Sequence, residues 1–294
     1  MFAAKLQGHL GRFWASLEIT LEIIFAFIGL IVALPAWRTW YGDASRIKLL
    51  RSGAFLRWLM IALPLVCLGL IIWVLTRYAA HDVRDDPFYV VIYAILGVGW
   101  LGLAVFAMPF AGILMRDDVL ERNNLAPAYA LAGALLGVTL CFAGSNIGDG
   151  PGAEVVIFSA GLATLAFFGL WLTFERLTRL SDRVTIERDP GAGMRLGSWL
   201  LAIRLVLGRA VAGNWESVDT TLSDFVHAGW FAAILWLLAI LWERLLLPSV
   251  QRITRPFDPS SVPLSQVAAW LTGGALGALY VAAAGVWVAS RGGW

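Results

Sequence analysis

The stretch ERNNLAPAYALAGALLGVTLCFAGSN, residues 121–146, carries the pattern from which the fold follows. Two asparagines precede a long apolar run rich in alanine and glycine, and the run ends in Ala-Gly-Ser-Asn. The same order recurs in ERDPGAGMRLGSWLLAIRLVLGRAVAGN, residues 187–214. A polar start followed by an apolar run is typical of a helix with a capped first turn. The recurrence predicts an internal repeat.

The composition indicates a membrane protein. Of the 294 residues, 60% are hydrophobic and only 14% are charged, and the mean hydropathy is +0.77. A chain of this kind has too little polar surface to cover a water-soluble domain of its size. The net charge of +2 is small, and the basic residues are spread over several loops, which excludes nucleic acid as a partner. The lipid bilayer is the expected surrounding.

Apolar runs of about twenty residues are long enough to cross the hydrocarbon of a bilayer. The sequence predicts eight such spans, at 17–37, 54–77, 88–111, 125–145, 153–175, 191–212, 222–247 and 264–289. The predicted fold is therefore an all-α polytopic transmembrane helix bundle built from repeated helix hairpins.

The connections between these spans are short, so residues 1–294 are predicted to form a single transmembrane domain. We divide it into an N-terminal two-helix extension (1–87), a repeat core (88–214) and a third hairpin repeat (215–294).

The loop charges predict the orientation of the bundle. The connections at 38–57 and 176–195 are rich in arginine, whereas those containing HDVRDDP, GSNIGDGPGAE and GNWESVDTTLSD are acidic or poor in basic residues. Basic loops stay in the cytoplasm. Both termini are therefore predicted to lie outside. The acidic outer loops can attract cations, or they can simply follow from this topology.

Glycines four residues apart mark predicted helix-packing faces. They lie in the fourth, sixth and eighth spans, as the pairs Gly133 and Gly137, Gly193 and Gly197, and Gly273 and Gly277. Glycine at this spacing lets two helix backbones approach closely in lipid. The same stripes can also serve self-association, so a homo-oligomer is a further expectation.

The polar residues at the start of the repeated helices are predicted to be helix caps. Asn124 precedes the fourth span and Asp189 precedes the sixth, with Pro127 and Pro190 close behind them. Asparagine and aspartate are common at N-caps, and a proline in the first helical turn costs little. Capping is therefore favoured over ligand binding at both positions.

Six ionisable residues fall in or beside the outer halves of the predicted spans. They are Glu18, Glu22, Arg204, Arg209, Asp224 and His227. A charge in a span costs free energy unless it is paired or hydrated. Arg204 and Glu22 lie at similar predicted depths, so Arg204 is expected to meet Glu22 or Glu18, and Arg209 to turn toward Glu216, Asp219 or Asp224. The cluster is either a dry ion pair between the first and sixth spans or a water-filled pocket open to the outside.

Residues 116–215 resemble a known family. The run RNNLAPAYALAGALLG, followed by LSDRVTIERDPGAGMRLGSWLLAIRLVLGRAVAGNW, is similar to the YjfL-type bacterial inner-membrane proteins, known as domain of unknown function 350. The resemblance implies a multi-pass protein of the bacterial inner membrane that is associated with envelope stress. It implies no established activity.

The sequence contains no P-loop, HExxH motif or nucleophile elbow, and Cys67 and Cys141 both lie in apolar runs. No catalytic residue, cofactor or metal is therefore predicted. The favoured function is a non-enzymatic component of an envelope or stress system that forms an oligomer or binds a partner protein. The alternative is a channel or transporter for a small charged solute that uses the outer polar cluster.

Overall fold

The computed structural model describes residues 2–46, 54–246 and 262–292, with side chains over 19–45, 54–244 and 270–292. Within these ranges the α-helices are α1 (Phe2–Arg46), α2 (Ala54–Arg77), α3 (His81–Arg84), α4 (Pro87–Ala107), α5 (Leu125–Gly144), α6 (Ala153–Thr178), α7 (Leu180–Thr185), α8 (Pro190–Ala210), α9 (Val218–Leu241) and α10 (Val262–Ser290). A 3-10 turn (Met108–Ala111) and two π-helical turns (Met115–Glu121 and Trp242–Leu246) complete them. The described chain contains no β-strand, which confirms the all-α fold.

In the described chain, seven helices are long and apolar enough to cross a membrane. They coincide with seven of the eight predicted spans. The remaining span, the sixth at 191–212, coincides with α8, whose three arginines lower its hydropathy. α8 is nevertheless deeply enclosed, because α5, α6, α9 and α10 all pack against it. Its neighbours shield it from lipid, which a helix of this composition requires.

The two repeated helices begin with side-chain caps. Asn124 is the N-cap residue of α5, where its side-chain oxygen accepts a hydrogen bond from the N–H of Ala126 at 3.1 Å. Its amide group also donates to the carbonyl of Val184 at 3.0 Å. Asp189 caps α8 by accepting from the N–H of Gly191 at 2.9 Å. Both helices therefore start as the sequence predicts.

Glycine faces hold α5 and α8 together. Gly193 lies against the backbone of Ala126, and Gly197 lies against Gly133, so closely that a β-carbon would overlap the opposite main chain. Farther along, Gly144 packs in the same way on Gly208. Residue numbers rise together along both helices, so α5 and α8 run parallel and their C-terminal ends lie side by side.

The third glycine pair attaches α10 to the free side of α8. Gly273 contacts the backbone of Gly191, and Gly277 contacts the side chain of Ser198. All these glycines are covered by neighbouring helices of the same chain. The stripes are therefore not available for the self-association that the sequence also suggested for them.

The α5–α8 contact predicts a sharp difference between two glycine substitutions. Gly133→Ala places a β-carbon on the Gly197 carbonyl, which cannot move unless the helices separate, and such overpacking costs about 1–3 kcal/mol. Gly69→Ala makes the same chemical change in α2, where nothing lies within 4 Å. We expect a lower melting temperature in detergent only for Gly133→Ala. Equal melting temperatures for the two variants would contradict this packing.

Candidate functional site

A polar cavity lies at the end of the bundle where α5 and α8 finish. Its volume is about 130 Å³. The loops that follow α2, α5 and α8 enclose it, and α1, α4, α6 and α9 each contribute side chains to its wall. A buried water needs about 10–15 Å³ of such space, so the cavity holds roughly ten waters or a small organic molecule.

The loop after α5 and the loop after α8 form one connected layer over this end of the bundle. The N–H of Trp215 donates to the carbonyl of Asp149 at 2.8 Å, and the N–H of Asp149 donates to the Asn214 side chain at 2.9 Å. Gly148, with φ of +104°, lies too close to Gly213 for a side chain to fit. The equivalent ends of the two repeats therefore meet directly at the cavity.

The cavity wall is acidic. Glu22, Asp82, Asp149 and Asp224 line it, and no lysine, arginine or histidine does so among the described residues. A β-carbon placed at Gly152 would lie 3.0 Å from Glu154 Oε2 and 3.5 Å from Glu22 Oε1, so these two carboxylates approach each other across the glycine. A concave site lined by one sign of charge concentrates ions of the opposite sign. This cavity favours cations.

Glu22 supplies the most enclosed carboxylate of the wall. Only 8% of the residue is exposed. α1 reaches this position by packing along α4, and the Tyr93 hydroxyl of α4 donates to Glu22 Oε1 at 2.9 Å. This hydrogen bond fixes the orientation of the carboxylate in the wall, and the two oxygens of a carboxylate offer about four acceptor positions in all.

Asn146 adds an acceptor with no partner. Its amide group donates to the Phe142 carbonyl at 2.6 Å, and only 5% of the residue is exposed. Its side-chain oxygen is buried without a hydrogen-bond partner among the described residues. A buried acceptor of this kind costs about 1–3 kcal/mol until a donor reaches it. Carboxylates and an unpartnered carbonyl oxygen together fit a ligand that donates hydrogen bonds and carries positive charge.

The predicted ion pair between Arg204 and Glu22 is wrong. Arg204 is completely buried in α8, and none of its guanidinium nitrogens has a hydrogen-bond partner within the described chain. The group instead stacks on Phe167 of α6, with its carbon 3.0 Å from the ring centre. The reason is lateral position, because α1 packs on α4 and does not pair with α8. The Glu18 side chain lies outside the described residues.

The rest of the predicted cluster is also divided. Arg209 does not reach the predicted acids and donates instead to the backbone carbonyls of Ala212 at 3.1 Å and Arg291 at 2.8 Å. Asp224 is exposed and lines the cavity. His227 is exposed and is not part of the wall. The expected cluster thus separates into an acidic cavity, a dry arginine and two residues near the surface.

A second polar cluster, which the sequence did not reveal, lies at the opposite end of α8. Arg195 Nε contacts Glu243 Oε1 at 2.6 Å, and both side chains are at most 4% exposed. Arg183 joins them at 3.3 Å from Glu243 Oε2 and also contacts Asp189 at 3.3 Å. Arg195 falls both in the arginine-rich connection 176–195 and in the predicted span 191–212, and its place in the span is the signal for a buried position. This cluster is a closed, satisfied ion pair network.

Among the described residues, no group of three or more His, Cys, Asp or Glu side chains is placed to hold a metal ion.

Comparison of the chain with models of protein families, with curated proteins and with solved structures finds no match. The resemblance to the YjfL-type family stays a prediction, and the functional argument depends on the geometry of the cavity.

The buried network predicts a strong stability effect at Glu243. Glu243→Ala leaves Arg195 buried without its partner, and breaking a buried pair in this way costs about 3–5 kcal/mol. Glu121→Ala is the matched control, because its 2.9 Å contact with Arg116 is exposed and solvent screens it. We expect thermal unfolding in detergent to show a large loss for Glu243→Ala and little change for Glu121→Ala. Similar small losses for both would show that the Arg195 charge is not buried.

Proposed function

We propose that this multi-pass membrane protein is a transporter for a small organic cation and that the acidic cavity is its binding site. One observation carries the proposal. The cavity combines the enclosed Glu22 carboxylate with the unpartnered Asn146 oxygen and has no basic residue in its described wall. An ammonium group supplies both the positive charge and the hydrogen-bond donors that these acceptors require.

The size of the cavity supports a ligand of a few heavy atoms. A volume of about 130 Å³ is well above that of one water and below the range of about 300–1,000 Å³ typical of drug-sized ligands. The wall carboxylates come from α1, α3, α9 and the loop after α5, so the ligand can exchange its hydration shell for several acceptors in turn. Binding that uses charge-assisted hydrogen bonds and still leaves one side open allows release as well as capture.

The orientation predicted from the loop charges supports an entry site. The loops that enclose the cavity are the acidic ones that the positive-inside rule assigns to the outside. A cation arriving from that side would meet Asp82, Asp149 and Asp224 before it reached Glu22. In a bacterial inner membrane, this is the periplasmic side.

The alternative function, a non-enzymatic component that binds a partner or forms an oligomer, makes a different prediction. It requires a stable complex and no ligand in the cavity. Cation transport is the stronger proposal because the cavity gives it a site, whereas the glycine stripes that suggested self-association are filled by helices of the same chain.

The proposal is tested with methylammonium as the probe. The purified chain in lipid nanodiscs is titrated by calorimetry, and uptake of labelled methylammonium is followed in proteoliposomes. Glu22→Gln keeps the shape of the side chain and an acceptor for Tyr93 but loses the charge. Because a hydrogen bond to a charged group contributes about 1.5–3 kcal/mol, we expect binding at least about tenfold weaker and saturable uptake to disappear.

The matched control is His227→Gln, which alters an exposed ionisable residue outside the cavity wall. It should bind and transport like the unaltered protein. Binding that is unchanged by Glu22→Gln would rule out the cavity as the site. Absence of both binding and uptake in the unaltered protein, together with isolation of a stable oligomer, would favour the partner-binding alternative.

A further inference from the structure

Arg204 is the most unusual charge in the bundle. It is completely buried, and in the described part of the chain its guanidinium meets no oxygen acceptor and forms no salt bridge. Its surroundings are the ring of Phe167, with Phe168 farther away at 5.7 Å, and the thiol of Cys141. Cation–π contact offsets only part of the cost of removing a guanidinium from water. Nothing in the transport proposal above uses this residue.

The Arg204 side chain lies beside the part of α5 that leads to the cavity. Its stem passes over Gly137, whose β-carbon would lie 2.7 Å from Arg204 Cγ, and its guanidinium interacts with the thiol of Cys141, one turn nearer the cavity in α5. Asn146 in the cavity wall follows Cys141 by five residues, about 8 Å along the helix axis. On α6, Phe167 follows the cavity residue Ser159 by eight residues, about 12 Å. The guanidinium therefore lies roughly 10 Å below the cavity.

The space between Arg204 and the cavity is dry. Ala160 and Ala163, which lie between Ser159 and Phe167 on α6, are completely buried, and so is Phe142 on α5. Charges separated by buried protein are screened much less than charges separated by salt solution. The positive charge of Arg204 therefore acts on whatever occupies the cavity.

We infer that Arg204 is a specificity-determining residue whose positive charge repels the bound cation from the interior of the bundle. It weakens the binding of cations to the cavity. The inference rests on the proposed cation binding. At about 10 Å and an effective dielectric constant of about 20, one positive charge lowers the affinity of a monovalent cation by about tenfold. A divalent cation experiences an additional repulsion, whose size depends on the distance of its second charge from Arg204.

The competing interpretation is that Arg204 is only a packing residue. Its stem does fill space beside Gly137. A packing role, however, requires no charge, because methionine has a similar length and no desolvation cost. The two interpretations therefore differ in what happens when the charge alone is removed.

The test compares Arg204→Met with the unaltered protein, both as the full chain. Binding of methylammonium and of doubly charged 1,3-diaminopropane is measured by calorimetry in nanodiscs. We expect Arg204→Met to bind methylammonium about tenfold more tightly and diaminopropane with a larger gain. Arg204→Gln serves as a second neutral variant, and melting temperatures verify that each variant is folded.

The outcomes separate this inference from the proposed function. Equal affinities in the unaltered protein and in both neutral variants would show that Arg204 does not act on the site, while cation binding itself would stand. Equal gains for the monovalent and divalent probes would also overturn the electrostatic role. If neither the unaltered protein nor the neutral variants bind either probe, both proposals fail. Binding seen only in the neutral variants would support the role of Arg204.

Discussion

The backbone contact between α5 and α8 is the constraint on which the rest of the structure depends. Lipid provides no hydrophobic force between helices, so two helices hold together by close packing of their main chains. Gly133 on α5 and Gly197 on α8 remove the side chains that would keep them apart. Because the two helices are parallel, their C-terminal ends and the loops that follow come together. The cavity is the space that those loops enclose.

Ionisable groups occur in three different environments in the bundle. At the end where α8 begins, Arg195 and Glu243 neutralise each other in a buried pair. At the end where α8 finishes, carboxylates face a space large enough for water or a ligand. Between these ends, Arg204 has only an aromatic face and a thiol beside it. A paired buried charge is compensated by its partner, whereas an uncompensated one is costly, so the last two arrangements are the ones that call for a function.

Local sequence patterns predicted the features that depend on neighbouring residues along the chain. The caps at Asn124 and Asp189 and the glycine faces follow from short motifs, and the helix positions follow from hydropathy. Contacts between helices that are distant in the sequence could not be predicted in this way. Equal depth suggested that Glu22 meets Arg204, but depth does not determine which helices are neighbours, and α1 packs on α4.

The cavity wall could not be predicted from the sequence for a related reason. Asn146 has the sequence context of a helix C-terminus, and only the meeting of two repeats, far apart in the chain, turns that end into a binding surface. Glu243 was missed because it lies near the end of the predicted span 222–247, where a charge is ordinary. The functional and buried polar residues that the sequence did not predict therefore lie mainly at the ends of packed helices.

The most direct measurement is the charge preference of thiol labelling in nanodiscs. In a chain with Cys67 and Cys141 replaced by alanine, a single cysteine is introduced by Ser159→Cys in the cavity wall or by Ala163→Cys one turn deeper. An acidic, hydrated cavity above a dry arginine predicts that Ser159→Cys reacts faster with a small cationic reagent than with an anionic one, and that Ala163→Cys reacts with neither. Equal reactivity toward the two reagents, or rapid labelling of Ala163→Cys, would contradict this arrangement.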